Sequence, residues 1–370
     1  ENGQISEAEY HSYKAQGEIF RALMMFRMAR LWGSFPVITT IAKTITSENI
    51  NEVYPTYYPP RKTPKECYEQ IIADLTDAEQ YAPDNDNSDR TKMTKTVAQA
   101  MLAKVYAEKE VQDYDKVIAY ADKVMNTTGV ELEDSYETLW GYDETAIDCM
   151  KRNTKEGILE VHWSGGGNWE TWMYGRQLDN WDYYFTWAKW ITPSRDIIND
   201  FDKEGDEVRK NQAIVYYACT WSNYYPASNY PFMYKLRSSY NNIYWVRLAD
   251  IILMKAEAEA YKGNLAESAK LVNQIRKRAK LKDLTSDKTG SKEAMIEAVL
   301  HERRLELAFE GERWFDLCRN NKVEKYLNGI DSRDSGRIRQ VKQFDSNSYL
   351  LPIPQTALDQ NTNLEQNPGY

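Results

Sequence analysis

Apolar positions recur through the first third of the chain with helical spacing. Residues 7–32 (EAEYHSYKAQGEIFRALMMFRMARLW) place Ile19, Leu23, Phe26 and Leu31 at intervals that suit a 3.6-residue period, which predicts a helix. Gly33 and then Pro36 end the pattern as a helix C-terminus does. A Thr-, Asn-, Pro- and Tyr-rich stretch over 39–60 reads as loop. Thr63-Pro64-Lys65-Glu66 then forms a capping box with proline at the first helical position, and Tyr68, Ile71, Ile72, Leu75 and Ala78 line the face behind it. After the polar stretch PDNDNSDR (83–90), helices are predicted over 94–110 and 114–125.

The last third follows the same style. Residues 246–261 (VRLADIILMKAEAEAY) read as a helix that stops at Gly263. Asn264, with Glu267 in the capping-box position, starts the next, which runs to Ala279. A third helix is predicted over 292–309, Gly311 punctuates it, and 314–317 begins a further short turn. The chain from Asp345 onward is loop, rich in Pro, Asn and Gln.

Two helical pairs resemble one another. Residues 103–125 and 258–279 both carry Ala and Tyr late in a first helix, a short polar turn, and Ala in the second, with Ala269 facing back in the later pair. This is the pattern of a tetratricopeptide hairpin, in which small residues let two helices cross closely. The two are separated by 127–245, a segment of another kind. Trp140, Trp163, Trp169, Trp172, Trp181, Trp187 and Trp190 crowd its first half, and Tyr is dense from Tyr174 to Tyr244. Gly165-Gly166-Gly167, Pro226 and Pro231 interrupt regular structure there. The expected fold is mainly α: helical hairpins packed against a loop-rich, aromatic-rich lobe. The expected organisation is one domain over 1–370, with helical parts at about 7–126 and 246–320, the inserted lobe at about 127–245 and a C-terminal loop segment at 345–370.

Composition sharpens this picture. The chain of 370 residues carries 47 Lys and Arg against 56 Asp and Glu, a formal charge of −9 with no basic run, which argues against nucleic-acid binding. Its 11 Trp and 27 Tyr outnumber its 9 Phe, a bias toward rings with a polar handle, as binding platforms use. His11, His162 and His301 are scattered, and Cys67, Cys149, Cys219 and Cys318 form no CxxC pair, so no metal or other cofactor is expected. No apolar run reaches the length of a membrane-spanning helix. Glu1-Asn2-Gly3-Gln4 lacks an initiator Met, a basic region and an apolar region, so the sequence is expected to be a processed or truncated product.

Three segments resemble one family. RALMMFRMARLWGSFPVI (21–38) is similar to the RAxxYFxLxxxFGdvPl segment of the SusD-like (RagB/SusD) outer-membrane lipoproteins. HERRLELAFEGERWFDLCR (301–319) is similar to their ExRxxELxxEGxRwfDLxR segment, and YLLPIPQTALDQNTNLEQNPGY (349–370) to their closing segment. YEQIIADLTDAEQYAP and Arg247-Leu248-Ala249-Asp250 fit as well, so the likeness covers nearly the whole chain in the family's order. The resemblance implies tetratricopeptide-like hairpins beside a loop-rich lobe. It also implies a lipid-anchored protein on the outer face of a Bacteroidetes-type outer membrane, with a SusC-like TonB-dependent barrel as partner and capture of an oligosaccharide or polysaccharide as its task. Family members carry a substantial stretch before the first of these segments, including the lipid-bearing Cys. Only twenty residues precede Arg21, so the chain is expected to be N-terminally truncated, its anchor absent from this sequence.

The candidate chemistry lies in the middle lobe. A pyranose has an apolar face that an indole accepts, while neighbouring polar groups take its hydroxyls; each stack contributes about 0.5–1.5 kcal/mol beyond burial, by analogy with aromatic pairs. Asn168-Trp169-Glu170-Thr171-Trp172 and Asp179-Asn180-Trp181-Asp182-Tyr183 interleave rings with such groups. The candidate ligand-binding residues are therefore Trp169, Trp172, Trp181, Trp187, Trp221, Tyr183, Asn168 and Asp179. Trp163, in the strand-like ILEVHW, is expected in the core, and Trp32, Trp245 and Trp314, in helical motifs, are expected to pack.

Other features lead elsewhere. Glu302, Glu306 and Glu310 share a helix face with Arg303, Arg304 and Arg313 around them, the pattern of a salt-bridged helix. His301-Glu302 lacks the second His of a zinc motif, the stretch from Asp84 lacks the Gly and Glu of a calcium loop, and the three glycines lack a following GK[ST]. A Cys149–Cys219 disulfide remains open. The expected function is non-enzymatic glycan binding; a peptide-binding member of the same family and an all-helical glycosidase are the alternatives.

Overall fold

The computed structural model describes residues 3–143, 145–146, 148–163, 192–218, 224–237, 240–336 and 342–370. Its principal helices are α1 (Glu7–Trp32), α2 (Pro64–Tyr81), α3 (Lys95–Tyr106), α4 (Tyr114–Met125), α5 (Tyr136–Trp140), α6 (Arg195–Glu204), α7 (Glu207–Ala213), α8 (Leu248–Lys262), α9 (Leu265–Arg278), α10 (Lys292–Glu306) and α11 (Arg313–Arg319). The strands are β1 (Tyr142–Asp143), β2 (Asp148–Cys149), β3 (Gly157–His162), β4 (Ile214–Tyr217), β5 (Tyr230–Met233) and β6 (Asn242–Arg247). The fold is mainly α, as its residue patterns predict.

Local signals set several boundaries. Ser6 and Thr63 each accept the N3 amide while Glu9 and Glu66 reach back to the cap amide, so α1 and α2 both start in capping boxes. Gly33, at φ 74°, ends α1, and Gly263, at φ 87°, ends α8 in the left-handed conformation. Asn264 departs from expectation: its side chain makes no cap bond but donates Nδ2–H to Glu259 at 2.7 Å.

The helices stack in series. α1 packs on α2, α2 on α3, α3 on α4, α4 on α8, and α8 on both α9 and α10. The two hairpins recognised in sequence, α3–α4 and α8–α9, therefore sit side by side although the whole lobe is threaded between them. One stacked pair crosses the joint, Tyr114 of α4 on Tyr261 of α8 at 4.8 Å between centroids; a second, Tyr106 of α3 on Tyr120 of α4 at 6.0 Å, lies within the first hairpin. α8 is the hub, buried from Leu248 to Ala260, and its alanines let neighbours approach. Within α8–α9 the small residue facing back is Ser268, whose hydroxyl donates to the Ala256 carbonyl at 2.7 Å; Ala269 lies beside it, half-buried.

The lobe is fastened to this stack by a short ladder and by charge. β3 and β6 pair antiparallel, with Gly157 opposite Arg247 and Glu160 opposite Tyr244. The helix expected from residue 246 begins instead at Leu248, because Val246 and Arg247 belong to β6. Beyond β6, Arg247 donates Nη1–H to Glu306 and to Glu156, each at 2.7 Å, and Nε–H to Glu310 at 2.7 Å. Arg278 binds both Glu156 and Glu306, and Arg209 binds Glu302 at 2.6 Å. The expected salt-bridged helix is thus a buried one, and Glu302, Glu306 and Glu310 take their partners from other elements. The reason is burial: Glu302, Glu306 and Arg303 are all fully buried, and such charges persist only when paired and hydrogen-bonded. Arg303 turns the other way, to Asp250 at 2.8 Å and Asp316 at 2.9 Å.

Candidate functional site

The expected ligand-binding residues Trp169, Trp172, Trp181, Trp187, Tyr183, Asn168, Asp179 and Trp221 all lie outside the described residues. All but Trp221 fall in the stretch 164–191. Its two flanking residues, Trp163 and Thr192, are both only half-buried, so Trp163 is not core. It stands one residue beyond β3, where pairing with β6 ends.

Many of the described rings of the lobe fill its interior. Tyr136, Trp140, Tyr230, Phe232 and Tyr244 are all buried. Trp140 meets Tyr244 edge-on at 5.1 Å, and the Tyr136 hydroxyl donates to the Glu306 carbonyl at 2.7 Å. Toward the surface this filling opens into Tyr225 and Tyr224, half-buried and 4.8 Å apart. Arg195 lies over both, its Cζ 4.2 Å from the Tyr225 ring and 4.5 Å from that of Tyr224.

A cavity of about 620 Å³ opens where α1, β6 and the α10–α11 turn converge. That volume falls within the usual range of small-ligand sites. Its aromatic walls are Trp245 and Trp314, both half-buried. Residues far apart in sequence make it: Arg27 from α1, Trp245 from β6, Phe309 and Gly311 from the turn, and Trp314 from α11. Trp245 and Trp314 read as packing residues from sequence because their local motifs are helical. Trp245 in fact lies in a strand that presents alternate residues to opposite sides, and Trp314 is the second residue of α11, its ring tilted against that of Phe344 at 5.7 Å between centroids. Only the chain's tertiary path brings the two indoles to one cavity.

The turn that floors the cavity carries an unusual backbone. The helix expected to reach residue 309 ends at Glu306, and Phe309 adopts φ 66°. A left-handed conformation at a bulky residue is uncommon and costs about 1–2 kcal/mol. Gly311, at φ 86°, completes the turn. Phe309 packs against the cluster of Phe201, Ile214 and Leu305, which fixes the turn under the lobe. A second cavity of about 280 Å³ shares Arg304, Ala308, Phe309 and Arg313 with the first and reaches Thr192, the residue that follows the undescribed segment.

Carboxylates at the cavity are engaged. Glu310 is held by Lys235 at 2.6 Å and by Arg247; Glu312 by Lys104 at 3.0 Å and Arg30 at 3.2 Å. Among the described residues no group of His, Cys, Asp and Glu is placed to hold a metal ion. Cys149 carries a free thiol that lies 3.7 Å from Asn242 Oδ1, and burial pushes its pKa up to about 12; Cys219 lies outside the described residues. No described helix is long and apolar enough to cross a membrane.

Comparison with known proteins agrees with the geometry. The chain is 28% identical over 405 residues to the SusD-like protein P2 of Formosa agariphila, covering 98% of this chain and 75% of that protein. It is 25% identical to a SusD-like protein of Bacteroides ovatus, covering 85% of this chain and 60% of that one. A SusD superfamily structure from Parabacteroides distasonis superposes with a TM-score of 0.77 at 25% identity, over 100% of this chain and 81% of that one. A laminarin-binding SusD-like protein shares the fold with a TM-score of 0.74 at 23% identity, over 100% of this chain and 81% of that one. The sequence model of the SusD family matches residues 47–370, and the chain belongs to that family.

Proposed function

We propose that this protein binds a glycan, an oligosaccharide or polysaccharide, on the outer face of the outer membrane. It passes that glycan to a SusC-like TonB-dependent barrel and performs no catalysis itself. Membership of the SusD family carries this reading. A structural neighbour that binds laminarin supports it, and so does a ligand-sized cavity walled by two indoles. A glycosidase would need one carboxylic acid and one carboxylate free to face the scissile bond. Glu310 and Glu312 are each clamped by two cations, which supports binding without hydrolysis. In this reading Trp169, Trp172, Trp181, Trp187, Tyr183 and Trp221 extend the platform, with Asn168 and Asp179 selecting hydroxyls, and an N-terminal lipid outside this sequence holds the protein to the membrane.

Binding of the purified protein to a glycan array and to a mixed peptide pool tests the proposal. Glycan binding that weakens roughly tenfold or more on single Trp→Ala changes at 169, 172, 181, 187, 221, 245 or 314 is the expected result. Binding of peptides alone would make this a peptide-binding member of the family. Affinity untouched by every one of those changes would remove the proposed platform.

A further inference from the structure

We propose that the cavity between α1, β6 and the α10–α11 turn is a subsite for an anionic saccharide. The sugar's apolar face lies on an indole while its carboxylate or sulfate meets the guanidinium groups of Arg27 and Arg313. The inference rests on the glycan-binding reading above and narrows it to a substrate class.

The charges around the cavity do not balance. Glu310 and Glu312 are taken by cations behind the wall, as described above. Arg303 is consumed by Asp250 and Asp316, and Arg304 by Asp196 and Asp200. Two arginines of the lining are left. Arg27 makes no hydrogen bond or ion pair among the described residues and rests with Cζ 4.7 Å from the Trp245 ring centroid. Arg313 donates one hydrogen bond, Nη1–H to the Leu300 carbonyl at 3.1 Å, and has no carboxylate partner among the described residues. Each guanidinium has five donors, so both retain spare ones.

Elsewhere in the described chain, arginines that lack a carboxylate each bind two or more backbone carbonyls. Arg61 donates to the Trp32, Ser34 and Glu365 carbonyls, Arg90 to those of Thr154 and Gly129, and Arg237 to those of Tyr234 and Gln212. These are clamps on the backbone. Arg27 and Arg313 clamp little, and both line one cavity. Their environment also disfavours their charge. Arg27 is exposed, yet partial desolvation together with neighbouring Arg30 lowers its pKa; burial and the field of Arg304 pull that of Arg313 down to about 10. Arg209 and Arg303, facing carboxylates, move the opposite way. An anion entering the cavity supplies the missing counter-charge to a planar, weakly hydrated fork suited to carboxylate and sulfate. The indoles beside it accept the apolar ring face that a bare inorganic anion lacks.

Calorimetric titration with three probes tests this: an oligogalacturonate, a carrageenan oligosaccharide and a neutral laminarin oligosaccharide. At least one acidic probe is expected to bind, more weakly as salt rises. Arg27→Met is expected to weaken that binding roughly tenfold or more, with Arg27→Lys intermediate and Trp245→Ala also impaired. Arg27 is exposed and has no ion pair to lose, and methionine keeps a side chain against Trp245, so Arg27→Met is expected to unfold at the wild-type temperature. Laminarin binding that depends on Trp245, with neither acidic probe bound or with Arg27→Met inert, would overturn this inference and leave glycan capture standing. Equal binding of poly-glutamate, indifferent to Trp245→Ala, would reduce the site to unspecific charge. No binding of any probe, or of any glycan on an array, would remove both.

Discussion

Arg247 and Glu306 meet at 2.7 Å in the protein interior, one from the last residue of β6 and the other from the last residue of α10. Arg247 also reaches Glu156, which precedes β3, and the carbonyl of Glu306 itself. The pair therefore joins the β-ladder of the lobe to the helical stack at the edge of the cavity floor. Both side chains are fully buried, so neither charge can fall back on water.

Removing one member strands the other. Glu306→Gln is expected to destabilise the protein by about 3–5 kcal/mol, because Arg247, Arg278 and Arg209 all lose a carboxylate. Arg247→Met should be comparably costly, and the double variant less costly than the sum of the two. Denaturant unfolding of the four proteins measures that coupling.

Glu108 behaves in the opposite sense. It is buried in the turn after α3, and desolvation raises its carboxyl to about 7. Between the ordinary carboxyl value of 4.5 and about 7 the folded state keeps a proton that the unfolded state has released, so this group's contribution is full below 4.5 and is lost as pH rises through 7. Glu108→Gln should leave stability at pH 4 little changed and raise it at pH 8 by as much as ~3 kcal/mol. Equal shifts at both pH values in denaturant titrations would contradict this.

Phe309 offers a test of backbone strain. At φ 66° its Cβ is crowded, yet its ring packs against a buried cluster. Phe309→Ala loses the packing and keeps the strain, whereas Phe309→Gly loses the packing and is relieved of the strain. The glycine variant is therefore expected to be the more stable of the two by ~1 kcal/mol, reversing the order seen in a helix. Thermal unfolding of both decides it.

Thr63 tests the α2 cap. Its hydroxyl accepts the Glu66 amide at 3.2 Å, and the Glu66 carboxylate returns to the Thr63 amide at 2.9 Å. Thr63→Ala is expected to cost ~1 kcal/mol in denaturant unfolding and Thr63→Ser almost nothing.

What the sequence carries locally, it carries well. The Thr63 capping box, the glycine stops and the two similar hairpins read directly, because each depends on residues within a few positions; the Asn264 box failed because its side chain turns back to Glu259, and the Ser6 box went unread. The β6–α8 boundary was hidden: Arg247 occupies the N-cap without a side-chain cap bond, so only pairing with β3 fixes where the strand ends. The partners of Glu302, Glu306 and Glu310 were hidden for the same reason, since arginines at 209, 247, 276 and 278 arrive from other elements. The cavity is the extreme case. Arg27, Trp245 and Trp314 are far apart in the chain, and nothing in their local motifs distinguishes a wall from a filler.

The ionic joint between lobe and helices has a thermal consequence. Bringing ions out of water becomes less costly as temperature rises, while the gain from burying hydrocarbon levels off. A lobe fastened by Arg247, Arg278 and Arg209 should hold its grip on heating until the helices beneath it fail. The molecule then melts in one step, and the cavity at the joint keeps its shape up to that point.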